Sequence, residues 1–466
     1  MKKKASQINK LLTSVAHRAR RSIDSEPEPE MTMPVQWPVQ CTVGPGLEGA
    51  IASETKIGYV NGAKGWLIYR GYNIFDLCAQ CTFEEVSYLL LHGFLPTASQ
   101  LDAYREKLVR ARSVRKTLRL LMGFPVEEMN VMGALRLGTN LMRQEFTLAD
   151  TEQWRPKPSE AIGSDEDSIP METLPKGEKR AIYEFRRPER DIEPVLKKQL
   201  EDACGIDACY HLIAGVSTIT AAIARVRQGH VPIEPDPELS HAANFLYMLT
   251  GRKPNAFEER IMDVAFILHA DHGMNASTFA AMVVASTLSD IYFSVGAGIA
   301  ALNGPLHGGA NEQVIRSLTA IGSEQEVARW LESALAAGQK IVGFGHRVYK
   351  AYDPRALILG PLAEMISRES EEAAGLFATA ERLEQEVISR LGQKKKIFPN
   401  VDFYSGIVYS GLGIQPEMFT PIFAVSRVAG WTARVHEYLQ HNRIFRPRAM
   451  YTGEFNKEVV PLAERS

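Results

Sequence analysis

Apolar positions recur with a helical period through most of the chain. Phe257, Ile261, Val264, Ala265 and Leu268 are spaced i, i+4, i+7, i+8 and i+11, which lines them along one face of a helix. Phe245, Leu246, Met248 and Leu249 form a second face, with Gly251 set to end that helix and Pro254 just beyond it. From Phe83 onward such segments follow one another, punctuated by Gly and Pro. Earlier, residues 56–71 carry Asn61-Gly62 between β-type stretches, which signals a hairpin. Strand-like alternation is scarce after Gly71. The pattern predicts a mainly α protein with a short β-hairpin near the N-terminus and ordered structure beginning near Gly46.

Three stretches depart from this rhythm. Residues 1–45 are basic and then Pro- and Glu-rich, and read as a flexible N-terminal extension. Residues 147–191 hold several prolines, an acidic triplet and a charged run with little apolar periodicity; they read as a surface insertion between helices. Residues 279–302 are the most apolar region, interrupted by Asp290 and dotted with Ser, Thr and Gly. A membrane span needs about 20 mainly apolar residues, so this region reads as a helix buried inside the protein.

Composition adds limits. Apolar residues make up 45% of the 466, enough for one large domain or two smaller ones. The formal net charge of −2 offers no broad field for nucleic acid or a membrane surface, and neither is expected as a partner. The five cysteines, Cys41, Cys78, Cys81, Cys204 and Cys209, are an odd number, which points to reduced thiols and a cytoplasmic location. Cys78 and Cys81 lack a second pair at zinc-site spacing and read as two thiols on one helix. The first 22 residues hold Lys2, Lys3, Lys4, Lys10, Arg18, Arg20 and Arg21 and no acid. They read as a solvated basic tail, with a transit peptide to the mitochondrial matrix as the alternative.

Chemistry concentrates in four clusters, each a histidine or acid flanked by residues that bend the backbone. His269-Ala270-Asp271-His272-Gly273 closes the Phe257 helix. By itself it reads as histidines facing a helix C-terminus, or as a weak metal pair. Asn303-Gly304-Pro305-Leu306-His307-Gly308-Gly309 puts a histidine among small neighbours that let a substrate approach. The run from Gly343-Phe344-Gly345-His346 to Arg355 holds a histidine in a glycine loop, followed by Arg347, Lys350 and Arg355. Its G-x-G lacks the later acid of a dinucleotide site. Pro399-Asn400-Val401-Asp402-Phe403-Tyr404 sets a carboxylate among apolar and aromatic residues, where desolvation would strengthen it as a base. A turn histidine or a capping aspartate remains an open alternative for each cluster alone.

Together the clusters resemble the citrate synthase family. GFGHRVYKAYDPR looks like the family signature, with GPLHGGANE and PNVDFYSG as its other active-site segments, and the similarity runs from about Gly46 to Gly453. The resemblance implies a large helical domain (residues 46–309 and 408–466) and a small helical domain (310–407) that closes over substrate. It implies condensation of acetyl-CoA with oxaloacetate, a C-acyltransferase reaction, with His307, His346 and Asp402 catalytic. Oxaloacetate would be held by His272, Arg355, Arg427 and Arg446, the last contributed across a homodimer interface. CoA would meet Lys350, the run Lys394, Lys395 and Lys396, and the backbone of Val342, Gly343 and Gly345. No metal or redox cofactor is implied. The alternatives are 2-methylcitrate synthase, taking propionyl-CoA, and a non-catalytic CoA- or dicarboxylate-binding protein.

Overall fold

A computed structural model of the chain describes residues 2–22, 37–146, 205–369, 371–392 and 395–454, with 456, 459 and 461–465. The predicted insertion at 147–191, Cys204 and Lys394 lie outside the described residues. In chain order the elements are α1 (Lys2–Ser22), β1 (Gly58–Asn61), β2 (Trp66–Tyr69), β3 (Tyr72–Asn73), α2 (Ile74–Gln80), α3 (Phe83–His92), α4 (Ala98–Ala111), α5 (Arg115–Leu121), α6 (Val131–Leu141), α7 (Ile206–Arg227), α8 (His241–Thr250), α9 (Ala256–His269), α10 (Ala276–Ser286), α11 (Ile291–Leu302), α12 (Ala310–Ile321), α13 (Val327–Ala336), α14 (Pro354–Ser367), α15 (Glu371–Val387), α16 (Val401–Gly411) and α17 (Phe419–Leu439). The fold is mainly helical, as the periodicity predicts.

Local chemistry sets many of these boundaries. Asn255 and Glu258 form a capping box at the start of α9, and Thr82 with Glu85 does the same for α3, so each satisfies orphan backbone donors. Gly93 and Gly251 close α3 and α8 in the left-handed conformation. The Phe257 stripe is buried along α9 as expected. The hairpin pairs β1 with β2 in antiparallel register, and β3 adds a short third strand to β2.

Several expectations are corrected. Residues 2–22 are not a loose tail. They form α1, whose Ile8, Leu12, Val15 and Ala16 are buried against α2 and α9 while Lys4, Lys10 and Arg18 are exposed. Arg260 of α9 donates to Asn9 Oδ1 at 2.9 Å, and Lys4 pairs with Glu369, just past α14. The apolar region 279–302 is two helices, because Leu288 adopts φ 63° and Asp290 caps α11 by accepting from Phe293 N. Cys81 is the C-cap residue of α2, so the cysteine pair straddles a helix end; both thiols are buried and free. The expected domain limit between 407 and 408 falls inside α16.

The core runs through α7 and α17. Among the described residues one helix, α7, is long and apolar enough to cross a membrane, but 89% of its apolar window is buried by the chain itself. Around α17 pack α7, α9, α10 and α11. At the other end α12, α14, α15 and α16 pack on one another. The chemistry-bearing segments lie where these two groups of helices meet.

Candidate active site

His307 occupies the turn between α11 and α12. The backbone N–H of Ser277, in the first turn of α10, can only donate, and it meets His307 Nε2 at 3.2 Å. Nε2 is therefore the acceptor, and the ring proton sits on Nδ1. Ser277 Oγ lies 2.8 Å from the same nitrogen and donates to Asn275 Oδ1. Burial, and then the charge of Arg427, push the His307 pKa down to about 4, so the imidazole is neutral near pH 7.

His346 is held the same way by different means. Its Nδ1 accepts from the N–H groups of Val348 (3.0 Å) and Tyr349 (3.1 Å), which leaves the proton on Nε2. Burial, with Arg355 next, lowers this pKa to about 4. The loop around it requires glycine: Gly343 sits at φ 83° with a Phe403 ring atom 2.9 Å from where a Cβ would be. Below it, the β1–β2 turn packs so closely that a Cβ on Gly62 would lie 2.0 Å from Val348 O, and Lys350 N donates to Gly62 O.

Asp402 lies in the first turn of α16, whose N-cap Asn400 accepts from Asp402 N at 3.0 Å. Two backbone hydrogen bonds and one from the Asn400 side chain lace this segment to the His346 loop. Gly345 N donates to Phe398 O, Asn400 N to Gly343 O and Asn400 Nδ2 to Gly345 O. Oδ1 of Asp402 is buried without a hydrogen-bond partner. Burial raises its pKa to about 7; the nearby guanidiniums of Arg355 and Arg427 oppose the rise, and the charge of Asp353 adds to it.

The cations around these groups are not equivalent. Arg355 is buried and doubly bonded to Asp353, the N-cap of α14, at 3.0 and 2.7 Å. Asp353 also accepts from Val401 N, tying Arg355 to the start of α16. Arg434 is likewise bidentate to Asp271, at 2.7 and 2.8 Å. Arg427, on α17, has no such carboxylate among the described residues. Its Nε donates to His269 O at 2.6 Å, its face lies over Phe423, and its Nη2 is buried without a partner. Burial lowers its pKa to about 10. A buried, unneutralised guanidinium is costly unless an anion joins it, so the arrangement suits an anionic ligand.

His272 faces His346 with ring centroids 5.2 Å apart, and its Nε2 meets Tyr349 OH at 3.2 Å. Burial holds its pKa well below the usual histidine range. His307, His346, Asp402, His272, Arg355 and Arg427 are thus brought together. The other expected residues are not part of this knot. Arg446 is exposed beyond α17, and its guanidinium donates to Pro447 O. Lys350, Lys395 and Lys396 are exposed, and Val342, Gly343 and Gly345 form the backbone before His346.

Sequence reasoning missed Ser277, Tyr349, Asp353 and the Asp271–Arg434 pair. Asp353 carried a local signal, since Asp before Pro354 reads as a helix cap. Arg434 stands 163 residues from Asp271 and carried none. No cluster of three or more His, Cys, Asp or Glu able to hold a metal occurs among the described residues; His269 Nδ1 lies 2.7 Å from Ala265 O and His272 Nε2 3.2 Å from Tyr349 OH.

Known proteins resemble the chain over most of its length. The model of the family "Citrate synthase, C-terminal domain" matches residues 46–448. The citrate synthase of Acidithiobacillus ferridurans is 39% identical over 426 residues, 91% of this chain and 98% of the relative. The 2-methylcitrate synthase of Shewanella oneidensis is 33% identical over 91% of this chain and 98% of the relative. The citrate synthase structure from Pyrobaculum aerophilum superposes with a TM-score of 0.73 at 38% identity, covering 93% of this chain and all of the other. That of Thermoplasma acidophilum, solved as a ternary complex with carboxymethyl coenzyme A and oxaloacetate, gives a TM-score of 0.75 at 32% identity over 91% of this chain and all of the other. This chain belongs to the citrate synthase family.

Proposed function

We propose that this site condenses acetyl-CoA with oxaloacetate and water to give citrate and CoA, with Asp402 as base and His307 and His346 as neutral hydrogen-bond donors. The observation that carries the reading is the disposition of protons. Each imidazole is anchored through its acceptor nitrogen and presents an N–H, while the carboxyl of Asp402 has an oxygen free of internal bonds.

The steps follow from those protons. Asp402 takes a proton from the acetyl methyl, and Nδ1–H of His307 supports the enolate oxygen as charge develops there. The enol carbon attacks the ketone carbon of oxaloacetate. Its oxygen gains negative charge, which the Nε2–H of His346 stabilises by donation, and it takes up, by way of solvent, a proton equivalent to the one Asp402 removed, so that both groups return to their starting states. Water then adds to the citryl thioester carbon; the C–S bond breaks, the sulfur leaves with one water proton as the CoA thiol, and the new carboxyl gives up the other proton to solvent. Arg427 and Arg355 bind the two oxaloacetate carboxylates by forked hydrogen bonds, and His272 completes that pocket.

The proposed small domain, 310–407, would carry His346, Arg355 and Asp402 and close on the remainder, excluding water before the enol forms. Lys350, with Lys395, Lys396 and Lys394, would meet the CoA phosphates, and the Val342–Gly345 backbone its adenine. Arg446, exposed here, would complete the oxaloacetate pocket of a second copy in a homodimer. A cytoplasmic location fits the free thiols of Cys41, Cys78, Cys81 and Cys209, and the burial of Ile8 and Leu12 speaks against a cleaved transit peptide.

Thiol release with oxaloacetate and either acetyl-CoA or propionyl-CoA tests the reading. The expected kcat/KM ratio favours acetyl-CoA by roughly 10-fold or more, the range one methylene commands; a preference for propionyl-CoA would assign the chain to 2-methylcitrate synthesis. The pH profile is a second check. Asp402 acts only when ionised, and its pKa is raised to about 7, while both histidines near 4 remain neutral donors. Below pH 7, kcat/KM should fall by about tenfold per pH unit, with no acid limb between 7 and 9. A limb centred near 4 instead would remove Asp402 from the base role.

A further inference from the structure

Glu384, on the last turns of α15, touches none of the residues assigned above, yet it joins the two segments that carry them. Tyr352, between Lys350 and Arg355, donates its hydroxyl to Glu384 Oε1. Tyr404, two residues after Asp402 on α16, donates to Glu384 Oε2. Each carboxylate oxygen therefore holds one arm. The tyrosine rings are fixed in turn. Tyr352 packs 6.1 Å from Phe398, and Tyr404 lies 4.9 Å from Phe403 and 6.3 Å from Phe377, all between ring centroids. We infer that Glu384 is a positioning residue for the condensation, clamping the His346–Arg355 segment and the Asp402 helix at a fixed spacing through Tyr352 and Tyr404.

This inference rests on the proposed function, since it concerns the spacing of the groups assigned there. A carboxylate suits the task because it accepts two O–H donors at once, and hydrogen bonds to a charged acceptor are short and stiff. Glutamine keeps the shape but offers one accepting oxygen and an NH2 group that cannot accept. One tyrosine would have to turn its hydroxyl or give up the bond. The backbone lacing between Gly343–Gly345 and Phe398–Asn400 would survive, so the segments should drift rather than separate. A displacement of about 1 Å between reacting groups can cost on the order of 10²-fold in rate.

The test compares wild type with Glu384→Gln, Tyr352→Phe, Tyr404→Phe and combinations, by thiol release with acetyl-CoA and oxaloacetate. Glu384→Gln should lower kcat by about 10- to 100-fold and change the oxaloacetate KM by less than about threefold, because Arg427 is untouched and Arg355 keeps its anchor on Asp353, itself tied to Val401 N. In the Tyr352→Phe/Tyr404→Phe background the same substitution should cost less than about twofold more. A kcat within twofold of wild type, whatever the melting temperature, would overturn the clamp. So would a loss as large in the double-phenylalanine background as in wild type. If Glu384→Gln does not fold, the single phenylalanine variants decide: each should lose several-fold in kcat, and unchanged turnover in both rejects the clamp. No thiol release by wild type would overturn the proposed function and the clamp with it.

Discussion

Replacing Asp402 by Asn should reduce kcat by about 10²- to 10⁴-fold, the usual range for a lost general base, while oxaloacetate still binds. Asparagine keeps the volume and can still lie beside Asn400, but it cannot take the methyl proton. Isothermal titration with oxaloacetate, beside the rate assay, separates the two effects; near-normal turnover would show that another group removes the proton. The same substitution should act on stability in a direction peculiar to this residue. The carboxyl pKa is about 7 in the folded chain against an ordinary 3.8. The folded state therefore favours the protonated form. That preference contributes stability in full below pH 4, loses it between 4 and 7, and leaves a buried charge above 7. Each tenfold change in proton affinity is worth about 1.4 kcal/mol. The Asn variant, which never ionises, should melt above wild type at pH 8 and close to it at pH 4.

Replacing His346 by Ala should cut the condensation by about 10²- to 10³-fold, as loss of an oxyanion donor does. Exchange of the thioester methyl protons with solvent deuterium, followed by NMR in the presence of an unreactive oxaloacetate analogue, should fall far less. The reason is geometric. His346 Nε2–H belongs to the loop beside His272 and Arg355, whereas His307 Nδ1–H, the proposed enolate donor, is fixed by Ser277 at the start of α10. The substitution also removes the acceptor of the Val348 and Tyr349 N–H groups. Part of the loss will therefore be loop disorder, and the exchange reaction serves as the control for it. Equal losses in both reactions would end the division of labour between the two imidazoles.

What the sequence disclosed depended on whether a cause was local. Helices with an apolar stripe and capping residues, such as Ala256–His269, could be read directly, and so could the glycine-bound histidines and Asp402. The first helix was hidden by its own composition. Ile8, Leu12, Val15 and Ala16 keep the i, i+4, i+7, i+8 spacing of the Phe257 stripe, but the lysines and arginines between them gave the segment the look of a solvated tail. The split of 279–302 into two helices turned on Asp290, which was noticed as an interruption and not as a cap. Partners distant in sequence left no trace. Nothing near Arg434 announces Asp271, and nothing near Glu384 announces the two tyrosines it receives. Such pairs arise only when the packing of α9 on α17, or of α14 and α16 on α15, brings them face to face.

The opening helix has a practical bearing on how the enzyme is handled. The match to the family model starts at residue 46, and a clone trimmed to that limit would keep the whole of that match. It would nevertheless strip the cover from α2 and α9, where the aliphatic side chains of Ile8, Leu12 and Val15 are each worth roughly 1.5–3 kcal/mol of burial. The trimmed chain would present that greasy seam to solvent and should clump on concentration, so an affinity tag is better fused at the carboxyl end.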